Sequence, residues 1–322
     1  MKSVTLSLLQ SAANAFDFGG PVLCDAHHYG EGHINDTFVV WREDHSKRFI
    51  LQRINTDTFT NPVGLMENVC GVTRHLRAKI LAEGGDPARE TLNVIPTLSG
   101  STCYLDADGG AWRAYDFVED TICLQQVGSE TDFRTVAETL GKFQNQLEDY
   151  PASTLHETIA RFHDTPNRYA NFEKALAADA LGRAKNITSE IEFIHAREQD
   201  CHVLLDQLAA GEIPLRVTHN DTKINNVLID AATGKGICVI DLDTVMPGLS
   251  AYDFGDSIRT GANDCAEDEP DQSKVHFDLH LYGVFAKGYL STAGASMSMA
   301  EKKEPCMGCK AHDAGMRHPF SD

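Results

Sequence analysis

The sequence predicts an α+β fold with two lobes, a small antiparallel sheet followed by a mainly helical part. Three observations predict it. The chain has 322 residues, which is more than one simple core usually holds. Its first third alternates β-branched and aromatic runs with polar turns, whereas apolar residues recur at helical spacing from Thr131 onward. Because the pattern changes near Phe117 to Asp120, we place the lobes at residues 1–117 and 118–298.

Two hairpins and one helix are expected in the first lobe. The runs 37–41 and 48–52 are rich in β-branched and aromatic residues and enclose a polar stretch, which favours a hairpin. A second hairpin is expected over residues 101–118, with its turn at 106–110. Residues 63–81 have helical spacing. The first lobe is therefore predicted to be a small sheet with one helix.

The second lobe is predicted to be mainly helical, with further helical stretches near residues 170–183 and 188–210. Val227-Leu228-Ile229 and Cys238-Val239-Ile240 are strand-like and enclose a turn at Thr233-Gly234, which indicates an antiparallel hairpin. The first helix of this lobe is expected to carry one apolar face, made of Phe133, Val136, Ala137, Leu140, Phe143 and Leu147.

The last segment, residues 299–322, departs from this pattern. It contains Pro305 and Pro319 and has no apolar periodicity, so we expect it to be a disordered tail. Cys306 and Cys309 form a C-x-x-C pair that is a candidate zinc ligand set with two later histidines, but the spacing suits no common zinc finger. A disordered tail would leave an acceptor pocket incompletely covered.

Composition excludes several classes of protein. A formal net charge of -19 argues against a nucleic-acid binder, because the phosphate backbone repels an acidic surface. No segment is apolar and long enough to cross a bilayer, so we expect no membrane partner. The nine cysteines are mostly isolated and odd in number, which matches no disulfide framework and favours the reducing cytoplasm. We expect a monomer.

The most informative stretch runs from Val217 to Asp243. His219, Asp221 and Asn226 have the spacing H-x-D-x-x-x-x-N, which is that of a kinase catalytic loop. Asp221 is the candidate catalytic residue that accepts a proton from an acceptor hydroxyl. Lys223, two residues later, is a second candidate catalytic residue that neutralises charge on a transferred phosphoryl group.

Two candidate metal ligands flank the predicted hairpin. Asn226 and Asp241 lie equally far from its turn, so the hairpin would bring an amide oxygen and a carboxylate together. Hard oxygen ligands of this kind suit Mg²⁺, which keeps water and phosphate as its remaining ligands. Asp243 is placed to assist Asp241. The alternative, a surface hairpin with ordinary Asx turns, must account for three separately placed polar residues.

These residues resemble the aminoglycoside phosphotransferase and choline kinase superfamily, whose catalytic motif and metal aspartate match His219, Asp221, Asn226 and Asp241. The likeness is closer to bacterial N-acetylhexosamine 1-kinases and covers roughly residues 20–290. It implies a bilobal protein-kinase-like fold, ATP as co-substrate, Mg²⁺, and phosphorylation of a free N-acetylhexosamine at its anomeric O1. The segments that carry it are Tyr29 to Asn35, Phe49 to Gln52, Gly110 to Arg113, Phe162 to Pro166, Leu215 to Asn226 and Tyr252 to Arg259.

The resemblance also assigns nucleotide-binding candidates. Gly30 and Gly32 precede a strand and would let backbone amides approach phosphates, although a plain turn explains two glycines equally well. Gln52 occupies the strand position where protein kinases place a phosphate-binding lysine. The hinge that would pair with adenine is Tyr115 to Glu119, with Tyr115, Phe117 and Glu119 as candidates.

Substrate-binding candidates are His33, Asn35, Asn220 and Arg259. For His33 and Asn35 the alternative is a hydrogen bond that fixes their own loop. The triplet that begins at Asp253 looks like a kinase metal motif but lacks the hairpin symmetry that favours Asp241. Asp253, Asp256 and Arg259 are therefore interpreted as a hydrogen-bond and ion network behind the catalytic loop.

Two rival functions remain at this point. One is another small-alcohol kinase of the same fold, acting on choline, homoserine or an aminoglycoside, since fold alone does not separate these acceptors. The other is a nucleotide-binding pseudokinase, suggested by Gln52 and by the atypical segment after residue 298. The intact set Asp221, Asn226 and Asp241 argues against the second.

Overall fold

The computed structural model of the chain describes residues 4–30, 32, 34–263, 271 and 274–303. Helices and strands are both present, with the strands concentrated in the first part and the helices in the second, so the predicted α+β class is confirmed. None of the helices in these ranges is long and apolar enough to span a bilayer.

The chain divides into two compact units, Met1–Ile122 with Leu228–Val245, and Cys123–Val227 with Met246–Asp322. The sequence-based division kept the hairpin after Asn226 in the second lobe, whereas the structure groups most of it with the first unit. Two contacts explain this. Asp230 forms an ion pair with Arg89 at 2.8 Å, and the N–H of Ala231 donates to the carbonyl of Asp120.

Six antiparallel strands form the larger sheet of the first unit, in the order β1-β2-β3-β6-β4 with β5 also paired to β6. Alternate residues of the second and third strands, among them Phe38 and Leu51, are fully buried against the helix Leu6–Ala13 (α1), which explains their β-branched and aromatic composition. The strands are β1 (Val22–Cys24), β2 (Asp36–Arg42), β3 (Arg48–Ile54), β4 (Val94–Ile95), β5 (Tyr104–Leu105) and β6 (Ala111–Asp116).

Both predicted hairpins of the first unit are confirmed. The first joins β2 to β3, and the second joins β5 to β6 through a turn in which Asp106 accepts hydrogen bonds from the N–H of Gly110 and the indole of Trp112. The predicted helix is α2 (Pro62–Ala82), which begins where the side chain of Asn61 caps the N–H of Gly64.

The hairpin that follows the catalytic-loop motif is also confirmed. Strands β9 (Val227–Asp230) and β10 (Gly236–Val239) are neighbours in a three-stranded sheet with β7 (Thr121–Cys123). Gly234 lies in the turn with φ +69°, a conformation that favours glycine. The turn is closed by Asp230, whose Oδ1 accepts hydrogen bonds from the N–H and hydroxyl of Thr233 at 2.8 and 2.7 Å.

The second unit is mainly helical, and its two short strands pair antiparallel. Aromatic rings fill its core, where Phe133 contacts Phe285 and Phe254 contacts Tyr289. The predicted apolar face of α3 is buried. The elements are α3 (Glu130–Gln146), α4 (Thr165–Ala178), α5 (Thr188–His195), α6 (Val203–Ala209), β8 (Arg216–Thr218), β11 (Met246–Gly248), α7 (Ser250–Gly261), α8 (Leu279–Ala293) and α9 (Met299–Lys303).

Helices α3 and α8 approach closely at glycine positions. A Cβ on Gly141 of α3 would lie 2.5 Å from the carbonyl oxygen of Tyr289. A Cβ on Gly288 of α8 would lie 2.9 Å from that of Ala137. These separations are shorter than an ordinary van der Waals contact. The close packing of the two helices therefore requires glycine, which has no side chain, at both positions.

We expect Gly141→Ala to lower the free energy of unfolding by about 1–3 kcal/mol, because the new methyl group overpacks the α3–α8 contact. Urea unfolding of the purified protein measures it. Gly283→Ala is the matched control, since it lies in α8 with no atom within 4 Å of its added Cβ. The control is expected to be neutral or to gain up to ~1 kcal/mol from helix propensity. Equal effects of both changes would contradict the close approach.

The prediction of a disordered tail from residue 299 is wrong for its first five residues. Met299–Lys303 forms α9, which Ser298 and Glu301 begin as a reciprocal capping box. Glu301 is 4% exposed and its carboxylate binds Arg216 and Ser250. The helix is therefore tied to β8 and to the start of α7. Residues 304–322, which include the Cys306 and Cys309 zinc candidates, lie outside the described residues.

Candidate active site

The predicted catalytic loop begins at the end of β8 in the second unit. Thr218, the last residue of this strand, donates its hydroxyl to the carbonyl of Met246 on β11 and to Oδ1 of Asn220. Gly248 faces the same hydroxyl so closely that a Cβ there would collide with it. The chain then continues through residues 219–223 into a 3-10 turn, Ile224–Asn226.

His219 supports the loop from inside the unit. Its ring is fully buried and packs edge-on against Phe143, with 6.0 Å between ring centroids. Its Nδ1 accepts the N–H of Asp221 at 3.3 Å. His219 therefore fixes the backbone of Asp221, the predicted catalytic residue.

Asn220 takes part in the same support. It adopts a left-handed conformation with φ +67°, is 3% exposed, and its amide bonds to the hydroxyl and carbonyl of Thr218. Asn220 was predicted as a substrate-binding residue. Its buried position assigns the side chain to the loop itself, and the strained backbone explains why asparagine occupies this position.

Asp253 of α7 holds the loop from behind. Its carboxylate accepts the backbone N–H of His219 at 3.0 Å and that of Asn220 at 2.7 Å, and its carbonyl accepts the hydroxyl of Thr222 at 2.6 Å. These contacts form the supporting network predicted for Asp253. Burial raises the pKa of Asp253 to about 6, partly opposed by His219 and by the two backbone donors.

The pKa of Asp253 predicts a pH-dependent stability. Because it lies above its ordinary value of 3.8, burying the ionised carboxylate costs stability as the pH rises from about 4 to about 6. The free energy of unfolding should therefore increase when the pH is lowered from 7 to 5. The increase should be about 1 kcal/mol larger in the wild type than in Asp253→Asn, because the variant has no titrating group at position 253. Urea unfolding at both pH values measures this, and parallel changes in the two proteins would contradict it.

Asp221, Lys223 and Asn226 lie together in this loop. The side chain of Asp221 is 25% exposed, and its Oδ1 is 3.7 Å from Nζ of Lys223. The amide nitrogen of Asn226 donates to the carbonyl of Asp221 at 2.7 Å, so the oxygen of that amide is the atom suited to coordinate a cation. Both backbone polar groups of Asp221 are thus fixed while its carboxylate remains partly exposed.

Asp241 lies in the first unit, two residues after β10. It is exposed and has a left-handed backbone with φ +60°, and a 3-10 turn, Leu242–Thr244, follows it. Asp243 within this turn is buried and pairs with Arg113. Within the described ranges no three or more His, Cys, Asp or Glu side chains form a metal-binding group.

Gln52 and Asn35 belong to the surroundings of Arg113. Gln52 donates to the hydroxyl of Thr37 and accepts from Nε of Arg113, both at 2.9 Å. Asn35 donates to Asp243 at 2.7 Å. The side chains of Gln52 and Asn35, predicted to contact nucleotide and substrate, are thus engaged within the protein. For Asn35 the alternative of a structural hydrogen bond is the one observed.

The predicted hinge and glycine segment lie at the ends of β6 and before β2. Tyr115 was predicted to contact the nucleotide. In the structure it is 5% exposed, and it is paired within the sheet to both β3 and β4. Phe117 is half-buried, and the exposed ring of Tyr29 packs against it at 5.7 Å. Gly30 has φ +81°.

Glu119 and Gly32, two further nucleotide candidates, are exposed. The carboxylate of Glu119 pairs with Arg48 at 2.7 Å, and its carbonyl accepts Nη2 of Arg89 at 2.9 Å. The guanidinium of Arg48 also lies 3.7 Å from the centre of the Phe117 ring. His33, a substrate candidate, lies outside the described residues.

Comparison with known families decides the class of protein. The profile of the phosphotransferase enzyme family matches residues 25–285. The chain belongs to this family. The matched range contains the glycine segment, the predicted catalytic loop, Asp241 and α7.

Solved structures with the same fold include phosphotransferases of several kinds. An aminoglycoside phosphotransferase from Alicyclobacillus acidocaldarius has a TM-score of 0.61 at 13% identity, covering 97% of this chain and 87% of its own. A microcompartment-associated aminopropanol kinase has a TM-score of 0.58 at 16% identity, covering 98% and 91%. An aminoglycoside phosphotransferase from Streptomyces rimosus, in complex with ADP and streptomycin, has a TM-score of 0.52 at 14% identity, covering 97% and 98%.

In this member of the phosphotransferase family, Arg259 forms the predicted network with Asp256. The guanidinium of Arg259 bonds to Oδ1 of Asp256 at 2.8 Å, one turn earlier in α7, and its side chain is 28% exposed. Asp164, in the segment Phe162 to Pro166 that carries the resemblance, caps α4 by accepting the N–H of Asn167.

Sequence reasoning about this phosphotransferase missed the buried ion pairs of Arg113 with Asp243 and of Glu301 with Arg216. Burial alone would lower the pKa of Arg113, but the attraction of Asp243, together with Tyr115 and Asp241, outweighs burial and the net direction is upward. For Arg113 the available signal was a single arginine within the apolar run Ala111 to Tyr115. For Glu301 the signal was its capping-box spacing from Ser298.

Proposed function

We propose that the protein transfers the γ-phosphoryl group of ATP to the anomeric O1 hydroxyl of a free N-acetylhexosamine, N-acetylglucosamine or N-acetylgalactosamine, and releases ADP and the sugar 1-phosphate. The observation that carries the transfer is the fixed backbone of Asp221. Its N–H is bound by His219 and its carbonyl by Asn226, while its carboxylate is partly exposed. A positioned carboxylate of this kind is what a hydroxyl acceptor needs.

Asp221 takes the proton of the acceptor hydroxyl as its oxygen attacks the γ-phosphorus. The new P–O bond forms while the bond from phosphorus to the β-phosphate bridging oxygen breaks, and ADP leaves with the electron pair. The ammonium of Lys223 balances negative charge that develops beside Asp221. An anomeric hydroxyl is more acidic than the ring hydroxyls of a sugar, so one carboxylate base suffices for O1.

The oxygen donors of this chain fit a Mg²⁺ ion bound with ATP. Asn226 directly precedes β9 and Asp241 follows β10, and they offer an amide oxygen and an exposed carboxylate. We propose these two residues as its protein ligands. When bound, Mg²⁺ would neutralise charge on the phosphates.

Several carboxylates of the second unit already have donors within the unit. Asp256 is paired with Arg259, and Asp253 is bonded to two backbone N–H groups. Asp164 is paired with Arg161 at 2.8 Å. Because each of these acidic groups already has a donor, the unit offers less attraction to a cationic acceptor than its composition suggests. Arg259 is proposed to contact the sugar.

The backbone of Gly30 and Gly32 and the hinge residues Phe117 and Glu119 are proposed to receive the nucleotide. Gln52 is proposed to act on the nucleotide only through its bond to Arg113. The described cysteines, six in number, are all unpaired thiols, which supports the proposed cytoplasmic location.

A panel of acceptors tests the proposal directly. The purified protein with ATP and Mg²⁺ would be supplied in turn with N-acetylglucosamine, N-acetylgalactosamine, choline, homoserine and kanamycin, and release of ADP measured. We expect turnover with the N-acetylhexosamines. Preferential turnover with any of the other three would replace the sugar by that acceptor. Binding of ATP without turnover on any acceptor would support the pseudokinase instead.

A further inference from the structure

The first unit contains a buried ion pair that the proposed chemistry does not use directly. Nη1 of Arg113, on β6, faces Oδ1 of Asp243, in the turn after β10, and the side chains are 1% and 4% exposed. Nε of Arg113 donates to Gln52 at 2.9 Å, and its guanidinium lies 5.3 Å from the centre of the Tyr115 ring. A buried guanidinium requires such partners, since its desolvation is costly.

The carboxylate of Asp243 is held on its second oxygen as well. Oδ2 accepts the amide of Asn35 at 2.7 Å, and Oδ1 of that asparagine accepts the N–H of Asn55 at 2.9 Å. Both oxygens of Asp243 are therefore engaged by groups of this unit.

The turn that contains Asp243 is buried at four of its five residues, 242–245. Leu242 and Val245 are 1% and 0% exposed, and the carbonyl of Val245 accepts the amide of Asn68 on α2 at 2.9 Å. Asp241 alone among residues 241–245 is exposed, with φ +60°. The turn thus directs one carboxylate inward to Arg113 and presents the other at the surface of the unit.

We propose that Arg113 is a positioning residue for the metal-binding carboxylate of Asp241, and that Asp243 is its buried counter-ion rather than a metal ligand. The inference rests on the proposed function, which assigns Asp241 to the metal. Arg113 fixes Asp243, and Asp243 fixes the turn in which Asp241 lies two residues earlier. The guanidinium of Arg113 thus binds groups of the protein itself, whereas a lysine at the position of Gln52 would bind phosphate.

The two roles of Asp243 predict opposite effects of removing Arg113. If Asp243 is a counter-ion, Arg113→Met leaves the turn without its anchor, and a cation at Asp241 binds more weakly. If Asp243 is a metal ligand, the same change releases a carboxylate, and the cation binds more tightly. The sign of the change therefore separates the two roles.

The experiment measures the binding of Mn²⁺ to the full chain in the presence of ADP, by the electron paramagnetic resonance signal of free Mn²⁺. We expect Arg113→Met to weaken binding about 10- to 100-fold, as loss of a group that orients a metal ligand does. The matched control is Arg216→Met, which breaks the buried pair with Glu301 in the second unit. It should lose stability as Arg113→Met does, but retain the affinity for Mn²⁺.

Unchanged or tighter binding of Mn²⁺ by folded Arg113→Met would overturn the inference. Should that variant not fold, Arg113→Lys keeps the charge but loses the Nε bond to Gln52, and is expected to weaken binding in the same direction by a smaller factor. Unchanged binding by Arg113→Lys would then overturn it. Asp241→Asn separates the two proposals. If it binds Mn²⁺ as the wild type does, the metal assignment itself is wrong, whereas weakened binding in that variant alone refutes only the role of Arg113.

Discussion

Asp221→Asn is expected to lower kcat by about 10²- to 10⁴-fold, because it removes the proton acceptor without changing the size of the side chain. The backbone contacts that fix this residue, from His219 and Asn226, do not involve its carboxylate and should persist. The affinity for ATP is therefore expected to remain near that of the wild type. Steady-state kinetics with saturating sugar, together with titration of ATP binding, measure both quantities.

Asp108→Asn is the control for this variant. It removes a carboxylate from the exposed turn between β5 and β6, so kcat should not change. A kcat for Asp221→Asn above about a tenth of the wild-type value would contradict the role of Asp221 as general base.

Asp241→Asn is expected to raise the Mg²⁺ concentration needed for half-maximal activity at least ~10-fold, because a neutral amide replaces a charged ligand of a divalent cation. The KM for the sugar should change little, since the variant alters only the metal ligand. The titration is done at fixed, saturating ATP and sugar, with Mg²⁺ varied.

Asp253→Asn provides the comparison. Asp253 is bonded to the backbone of the catalytic loop, so its loss should lower kcat without moving the midpoint of the Mg²⁺ titration. The opposite pattern, a shifted midpoint for Asp253→Asn and a normal one for Asp241→Asn, would show that Asp253 is the metal aspartate.

The catalytic loop and its hairpin were predictable because their signals are local. The spacing of His219, Asp221 and Asn226 lies within eight consecutive residues, and the turn at Gly234 is marked by the φ that glycine favours. The strands of the first unit were predictable for a related reason, since one face of β2 and β3 is buried and the side-chain pattern has a period of two.

The sequence did not reveal the long-range contacts of several site candidates. Tyr115 was predicted to belong to a hinge, and the structure shows that β4 pairs with β6 beside it. Asn220 was predicted to contact the substrate, and the structure shows that its left-handed backbone turns the side chain into the loop. The pair of Arg113 and Asp243 joins residues 130 positions apart, and no local pattern reveals such a pairing.

The end of the described chain shows how two local signals compete. The prolines and glycines after residue 304 suggested disorder for the whole segment, while the capping box of Ser298 and Glu301 predicts a helix start. The capping box decides the structure of Met299–Lys303, because Glu301 also gains a buried partner in Arg216. The local signal for this helix was present in the sequence, but the contact of Glu301 with Arg216, which stabilises the helix, was not visible there.

The central claim is tested most directly by the position of the phosphate on the product. The protein would be incubated with ATP, Mg²⁺ and N-acetylglucosamine or its methyl glycoside, in which O1 is blocked, and the products assigned by ³¹P and ¹H nuclear magnetic resonance. The account predicts a phosphate on the anomeric oxygen of the free sugar and no phosphorylation of the methyl glycoside. Phosphorylation of the methyl glycoside would contradict it, since the acceptor would then be a ring or C6 hydroxyl.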